Sequence, residues 1–339
     1  GKDVKLTIDI EMQKHLYNQM KDDKGFFVVM EPKTGELLAC VSTPSYNSND
    51  FVLGLTNEQW EELNNNENKP LYNRFLQSYC PGSTFKSITA GIGLTTGKIT
   101  TDTTFNYSGL SWQKDKTWKT DYITTLTAYS GAKNVKNALI HSDNIFFAQA
   151  AMQIGKQTFS ENLDKLVFNE QIEFPLTLRK SQYSNSDKSM STEKKLADSG
   201  YGQGDILVNP IHMASIYSAF ANQGNMVKPY LEVKENNEVE YLVEGAFTAE
   251  AANIIKDDLI EVVEDGTAKD MKVAGRTIAG KTGTAELKAS KDAEADVLGW
   301  FNCFTADSAG DQLLIVSMVE EARALNGSHY LISKIKTLF

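Results

Sequence analysis

Three short motifs in this sequence hold hydroxyl, amine and amide groups that together suit chemistry at a serine nucleophile. In chain order they are Ser83-x-x-Lys86, Ser142-x-Asn144 and Lys281-Thr282-Gly283-Thr284. Each pattern is weak when taken alone, because Ser-x-x-Lys occurs five times in the chain and Ser-x-Asn occurs again at Ser45. The local setting of each motif therefore decides what it indicates.

Ser83 follows a Pro81-Gly82 break and precedes an apolar run that favours a helix. Residues three apart in a helix share a face, so the Ser83 hydroxyl and the Lys86 amine are expected to meet. The N–H groups at a helix start suit a reaction that develops an oxyanion. Lys86 can serve as the base for Ser83 only if burial or a second cation lowers its pKa from about 10.4.

Ser142-Asp143-Asn144 interrupts an apolar helical stretch, where buried polar residues need hydrogen-bonding partners. A turn between two helices at this point would direct the Ser142 hydroxyl and the Asn144 amide into a cleft. A plain helix-breaking turn is the alternative reading of the same three residues.

The Lys281–Thr284 motif falls on a predicted strand, where Gly283 would let a ligand approach the backbone closely. Lys281 offers a cation, and Thr282 and Thr284 offer hydroxyls, so the segment suits a carboxylate. The residues 275–282 also match the phosphate-loop pattern GxxxxGK[ST]. That motif needs a helix after its lysine, whereas this sequence predicts a continuing strand. Nucleotide binding is therefore the least favoured alternative.

The composition is that of a globular protein with a full core: 339 residues, 41% hydrophobic and 23% charged. A formal charge of −10 argues against a nucleic-acid partner. The three cysteines and four histidines show no metal-binding spacing, so neither a metal nor another cofactor is predicted. Cys80 lies close to Ser83, but the residues favour a packed thiol over a nucleophile. Apolar runs are too short to span a bilayer.

Alternation and turn signals predict five strands, at 25–30, 37–42, 276–284, 298–305 and 313–319, in one antiparallel sheet. Predicted helices begin after Asp9, Thr56, Asn209 and Thr248, cover 136–140 and 145–154, and include a short one at the C-terminus. Residues 98–130 are predicted to be irregular and 178–196 to be a mobile solvated loop. The domain hypothesis is a sheet-containing part, 1–50 with 267–339, and a mainly helical part, 51–266.

Taken together, the three motifs resemble those of penicillin-binding proteins and class A β-lactamases. Nearly the whole chain looks like a class B penicillin-binding protein transpeptidase domain, closest to the low-affinity subgroup associated with β-lactam resistance. The further stretches that carry this resemblance are Thr7–Asp9, Pro32–Glu36, Ser42–Tyr46, Ser142–Ala148, Ala197–Gly204 and Gly280–Glu286.

The resemblance implies an α/β (α+β) fold, with a five-stranded antiparallel sheet flanked by helices and an all-helical subdomain. It implies that Ser83 attacks the penultimate D-alanine of a peptidoglycan stem peptide, with Lys86 as general base. Ser142, linked to Lys281, would pass a proton to the leaving nitrogen. β-Lactams would mimic D-alanyl-D-alanine and acylate the same serine.

The resemblance also implies a set of substrate-binding residues: Asn144, Thr282, Gly283, Thr284 and Gln203. The N–H groups of Ser83 and Thr284 would form the oxyanion hole. Full-length relatives carry an N-terminal membrane anchor, so the domain is expected to act outside the cytoplasmic membrane, with other cell-wall synthesis proteins as expected partners.

Three other activities of the same fold stay open. A β-lactamase needs a group that activates water, but no Glu-x-x-Leu-Asn follows Ser142. The nearest likeness, Glu61–Asn64, has the wrong spacing and precedes Ser83. A carboxypeptidase would differ only in using water as the acceptor. A β-lactam sensor would be acylated once and would signal through a membrane segment.

Overall fold

The computed structural model describes residues 1, 3–185, 190–233, 238–287 and 296–339. The strands in this part of the chain are β1 (Gly25–Met30), β2 (Leu37–Thr43), β3 (Ser111–Trp112), β4 (Ile123–Thr124), β5 (Met226–Val227), β6 (Tyr241–Val243), β7 (Ile278–Leu287), β8 (Asp296–Thr305) and β9 (Leu314–Val319). The α-helices are α1 (Ile10–Met20), α2 (Ser48–Leu53), α3 (Asn57–Asn65), α4 (Lys86–Thr95), α5 (Val135–Ile140), α6 (Asn144–Ile154), α7 (Lys156–Lys165), α8 (Glu193–Ser199), α9 (Pro210–Ala221), α10 (Ala249–Glu264) and α11 (His329–Ile335).

The main sheet joins the two ends of the chain in the order β2-β1-β9-β8-β7, with every pair antiparallel. All six residues of β1 are buried, as are all six of β9, because helices cover both faces of the sheet. A strand buried on both faces reads as a continuous apolar run, which is how the sequence encodes both of them. The predicted fold class and five-stranded sheet are confirmed.

Helices α1 and α11 pack against one part of the sheet, while α9 and α10 contact β9, β1 and β7. Every residue of α9 from Pro210 to Phe220 is buried, and α10 packs against both α9 and α4. Helix α4 is therefore enclosed, with Lys86 through Gly93 buried. The middle of the chain also holds two small sheets, β3–β4 and β5–β6, and its division from the sheet-containing part stays a prediction.

The prediction that residues 178–196 form a solvated loop is wrong at the buried positions of this segment. Leu178, Ser181, Tyr183 and Met190 are buried, and helix α8 begins at Glu193. Residues 186–189 lie outside the described part. Polar composition hid this burial, because Ser181 is held by hydrogen bonds to Asn209 and His212 in the interior. The irregular stretch at 98–130 is confirmed, apart from the short β3–β4 pair and a 3-10 turn at Lys116–Trp118.

Candidate active site

Ser83 lies in a tight 3-10 turn, Gly82–Phe85, that runs directly into α4. The sequence predicted the serine in the first α-helical turn, and the tighter turn places it just before the helix. Lys86, one turn later, has a fully buried side chain, whereas Ser83 is partly exposed. The Lys86 Nζ lies 2.9 Å from the Ser83 Oγ. The predicted base and the predicted nucleophile are therefore in contact.

Ser142 lies in the turn that joins α5 to α6, with a backbone φ of 55°. This left-handed conformation is uncommon for a residue other than glycine. Asp143 stabilises the turn, because its side chain caps the N-terminus of α6. The turn directs the Ser142 hydroxyl toward Lys86 Nζ at 3.1 Å, while the Ser142 carbonyl accepts from the same amine at 2.6 Å.

Lys281 lies on β7, the strand at the edge of the sheet, and its side chain is fully buried. Its Nζ donates to the Ser142 Oγ at 3.0 Å. The hydrogen bonds thus form an unbroken series that runs from Ser83 through Lys86 and Ser142 to Lys281. The four residues predicted to be catalytic come together in space, although 198 residues separate the first from the last (281 − 83).

The electrostatics of this series favour a neutral Lys86. Burial lowers the pKa of Lys86 well below its usual value, and the nearby Lys281 lowers it further, against an opposing effect of Asp143. Burial also lowers the pKa of Lys281, to about 7. A neutral amine has two N–H groups and one lone pair. When both N–H groups of Lys86 bond to Ser142, the lone pair faces the Ser83 hydroxyl, which is the arrangement that a general base needs.

The predicted substrate-binding residues border this series. Asn144 is the first residue of α6, is partly exposed, and donates from Nδ2 to the Thr124 carbonyl at 2.8 Å. Thr284 is exposed on the edge strand, whereas Thr282 is buried and shares a hydrogen bond of 2.7 Å with Thr267. Gln203 is partly exposed beside the Ser83 turn, and its Oε1 lies 3.5 Å from the Cys80 Sγ.

Gly283 is needed for a different reason from the one that its sequence suggested. A Cβ at this position would lie 2.8 Å from Thr84 Cγ2, 3.0 Å from Trp300 Cβ and 3.1 Å from the Pro81 carbonyl oxygen. The missing side chain makes room for the turn that carries Ser83, while the role of Gly283 in substrate binding stays a prediction. The glycine therefore lets the edge strand press directly against the nucleophile turn.

Two further glycines pack the same turn, and sequence reasoning missed their role. A Cβ on Gly82 would lie 2.3 Å from the Thr284 carbonyl oxygen, and a Cβ on Gly202 would lie 2.1 Å from the Gly82 carbonyl oxygen. The Gly82 N–H donates to the Gly202 carbonyl at 3.0 Å. Backbone segments from three distant parts of the chain thus stack without side chains between them.

Two alternatives from the sequence are resolved here. Cys80 is buried, burial raises its pKa to about 11, and its thiol donates to the Gly202 carbonyl at 3.1 Å, so the packed-thiol interpretation is confirmed. The phosphate-loop reading is wrong, because β7 runs straight through residues 280–282 where a helix would have to start.

Within the described residues, no group of histidine, cysteine and acidic side chains is arranged to hold a metal ion. Among the helices of the same part of the chain, none is long and apolar enough to cross a membrane.

Comparison with known proteins agrees with this geometry. The sequence model of the penicillin binding protein transpeptidase domain matches residues 25–335. Penicillin-binding protein 3 of Bacillus subtilis is 40% identical over 342 residues, which cover 100% of this chain and 51% of that protein. Peptidoglycan D,D-transpeptidase MrdA of Escherichia coli K12 is 30% identical over 308 residues, covering 85% of this chain and 48% of the relative. The chain spans about half the length of these curated relatives.

Solved structures share the fold. The D,D-transpeptidase domain of a peptidoglycan glycosyltransferase from Eggerthella lenta is 26% identical, with a TM-score of 0.83 over 100% of this chain and 83% of that one. Penicillin-binding protein A of Mycobacterium tuberculosis has a TM-score of 0.85 at 23% identity, over 100% of this chain and 80% of that one. Because the family model covers almost the entire sequence, the chain belongs to the penicillin-binding protein transpeptidase domain family, as its three motifs predicted.

Proposed function

We propose that this chain is the catalytic domain of a peptidoglycan D,D-transpeptidase that works through an acyl-enzyme on Ser83. The observation that carries the proposal is the hydrogen-bonded series from Ser83 through Lys86 and Ser142 to Lys281. It joins a nucleophile to a buried neutral base and continues to a second buried amine. Such a series can move one proton from the nucleophile toward a leaving group.

In the proposed reaction, Lys86 takes the proton of Ser83 as Ser83 attacks the carbonyl of the penultimate D-alanine. The N–H groups of Ser83 and Thr284 stabilise the oxyanion. Ser142 then gives its proton to the leaving D-alanine nitrogen and recovers one from the adjacent lysines. An amine of a neighbouring stem peptide then attacks the acyl-enzyme carbonyl, and Lys86 takes the amine proton. Lys86 passes this proton to the Ser83 oxygen as the ester bond breaks, and the amide cross-link remains.

Substrate binding in this proposal uses the borders of the series. Lys281 and the hydroxyls of Thr282 and Thr284 hold the terminal carboxylate, while Asn144 and Gln203 bind the peptide portion. Thr282 already shares its hydroxyl with Thr267, so substrate binding exchanges or extends that hydrogen bond. β-Lactams carry an equivalent carboxylate and carbonyl, and they acylate Ser83 in the same way.

The names of the relatives support the reaction class. Both the E. coli and the A. baumannii MrdA proteins are called peptidoglycan D,D-transpeptidases, and the B. subtilis relative is called a penicillin-binding protein. We further propose that the domain acts outside the cytoplasmic membrane, alongside other cell-wall synthesis proteins, with the membrane anchor supplied by a part of the protein beyond this domain. Low β-lactam affinity stays a prediction. Acylation by benzylpenicillin as fast as that of sensitive enzymes would contradict it.

The proposal is tested by the intact mass of the protein during incubation with benzylpenicillin. We expect a one-to-one adduct that persists for hours and is absent from Ser83→Ala. The matched control is Ser333→Ala, which alters another Ser-x-x-Lys serine on α11 and should leave the adduct unchanged. Loss of penicillin without an adduct would instead assign a β-lactamase.

A second measurement separates the remaining activities. With a D-alanyl-D-alanine-type thioester and an added D-amino acid, a transpeptidase forms the aminolysis product. A carboxypeptidase yields only the hydrolysed acid. A sensor yields neither the aminolysis product nor the acid. No adduct and no thioester turnover would overturn the proposal.

A further inference from the structure

A buried carboxylate lies directly behind the proposed proton path. Asp143 is fully buried. Its Oδ1 accepts the backbone N–H groups of Ile145 at 2.9 Å and Phe146 at 3.3 Å. Its Oδ2 accepts the phenol of Tyr129 at 2.9 Å and that of Tyr107. An ionised carboxylate has about four acceptor sites, so the described donors fill all of them.

The two phenols come from a part of the chain that the motifs do not include. Tyr107 precedes Asp143 by 36 residues and Tyr129 by 14, within the irregular stretch that wraps over the Ser142 turn. Burial, followed by the contact with Asp143, raises the pKa of both phenols. Both therefore stay protonated and act as donors to the carboxylate.

Asp143 influences the proposed base as well as the turn. Its negative charge raises the pKa of Lys86 and so opposes burial and Lys281, which both lower it. Phenol dipoles point their positive ends at the carboxylate and cancel part of its negative potential at Lys86. Removing a phenol would therefore favour the protonated, inactive form of the lysine.

Three other titratable side chains lie around Asp143 and the two tyrosines: Lys133, His141 and Lys281. Lys133 Nζ lies 3.3 Å from the centre of the Tyr129 ring and 5.7 Å from that of Tyr107. The His141 ring stacks on Tyr129 with centroids 4.3 Å apart. Burial and then Lys133 lower the pKa of His141, which keeps it neutral at neutral pH. Lys281 faces Lys86 from the opposite side, across the Ser142 hydroxyl.

We propose that Tyr107 and Tyr129 are positioning residues of the active site that act through Asp143: they hold the Ser142 turn and shield the Lys86 amine from the Asp143 charge. The inference rests on the proposed function, in which Lys86 is the base for Ser83. It extends the site to a segment that carries none of the three motifs.

The test compares Tyr107→Phe and Tyr129→Phe with the wild-type chain. The matched control is Tyr183→Phe, because the buried Tyr183 likewise donates its phenol to a carboxylate, Asp164 Oδ1 on α7, at 2.9 Å. The first readout is the rate constant of acylation by benzylpenicillin as a function of pH. We expect the acid limb of both active-site variants to move up by about 0.5–1 pH unit, so that acylation falls about three- to tenfold on the acid side and converges with the wild type at higher pH.

The second readout does not depend on activity. In protein labelled with ¹³C-lysine, the Lys86 signal is assigned through Lys86→Arg and titrated by NMR. We expect its midpoint to rise in both variants and to stay unchanged in Tyr183→Phe. In an Asp143→Asn background, Tyr107→Phe and Tyr129→Phe should produce no further change.

Two results would overturn the inference. One is a uniform loss of acylation at every pH with an unmoved Lys86 midpoint, which a merely structural role would give. The other is an equal shift that persists in the Asp143→Asn background. If the wild type is not acylated at all, the proposed function fails, while the Lys86 titration still decides whether the tyrosines act through Asp143.

Discussion

Lys86 and Lys281 both contact the hydroxyl of Ser142, at 3.1 and 3.0 Å. Two ammonium groups held so close to one oxygen, and buried, repel each other and lose hydration, so the site favours fewer than two charges. Lysine side chains are usually exposed, whereas Lys86 and Lys281 are both buried. The chemistry at the residue scale is therefore one of shared protons between two lysines and two serines.

Ser142→Ala should break this series while leaving the fold intact. Because proton transfer through a positioned group contributes about 10²- to 10⁴-fold, we expect acylation of Ser83 to fall by about 10²-fold or more. The measurement is the benzylpenicillin acylation rate, with thermal unfolding as a check on folding. The control is Ser160→Ala, because this partly exposed serine lies on α7 and donates to the Lys156 carbonyl of the same helix. Acylation within about threefold of the wild type would show that Ser142 carries no proton.

The pH dependence of acylation should have two limbs. The acid limb reports loss of the proton from Lys86, and the alkaline limb, near pH 7, reports loss of charge from Lys281. The sign follows from their roles, since Lys86 must be neutral to accept a proton and Lys281 must be charged to hold a carboxylate. A penicillin methyl ester has no carboxylate, so its acylation should lack the alkaline limb. An unchanged alkaline limb with the ester would contradict this role of Lys281.

At the scale of elements, the site depends on three backbone segments that touch without side chains between them. The Gly202 turn packs on Gly82, and Gly82 packs on the carbonyl of Thr284 at the edge strand β7. Gly283 adds a third close contact, with Thr84. The nucleophile turn is therefore clamped between the Gly202 turn and β7, which fixes its position relative to Thr284, one of the proposed oxyanion donors.

Gly202→Ala should disturb this clamp, and Gly204→Ala should not. Both glycines have positive φ, 77° and 72°, so each alanine costs about 1–2 kcal/mol of stability through the backbone alone. A Cβ at Gly202 would also lie 2.1 Å from the Gly82 carbonyl, whereas at Gly204 the nearest atom is 3.6 Å away. We expect Gly202→Ala to unfold at lower urea and to lose at least about tenfold in acylation rate. Equal effects of the two variants would argue against the clamp.

At the scale of the whole molecule, the first two strands of the chain and the last three form one sheet. The chain between them returns to this sheet, and some of its helices are buried. Strand β1 pairs with β9 from Gly25↔Val319 to Met30↔Leu314. This closure buries α4 and α9, and with them the Lys86 amine. Burying two lysines costs free energy, and the burial of the large apolar core around them offsets this cost.

That cost should be visible in the pH dependence of stability. Lys281 has a folded-state pKa of about 7, below its value in the unfolded chain, so the unfolded state binds more protons between about pH 7 and 10. The free energy of unfolding should therefore rise with pH in this window, by up to about 1.4 kcal/mol per pH unit for this group. Urea unfolding of the wild type and of Lys281→Met measures it. Parallel curves for the two proteins would contradict the prediction.

Much of the fold was predictable because its signals are local. The strands at 25–30 and 37–42 are an apolar hairpin, and Asp9, Asn209 and Thr248 each cap a helix through their own side chains. The burial of Ser181 and Tyr183 was not predictable, because these two side chains satisfy their hydrogen bonds through partners that are distant in the chain. Periodicity reports which face of an element is apolar, and it does not report a polar group buried by long-range contacts.

The sequence by itself determined the three motifs, the helices and strands that carry them, and the order in which they occur. Only the tertiary structure decided that Ser142 bridges two lysines, that both amines are buried, that Gly283 accommodates Thr84, and that Tyr107 and Tyr129 meet Asp143. The physical reason is separation along the chain. Local propensities act over a few residues, whereas the pKa of a lysine and the contacts of a missing Cβ depend on atoms that only the closed sheet brings together.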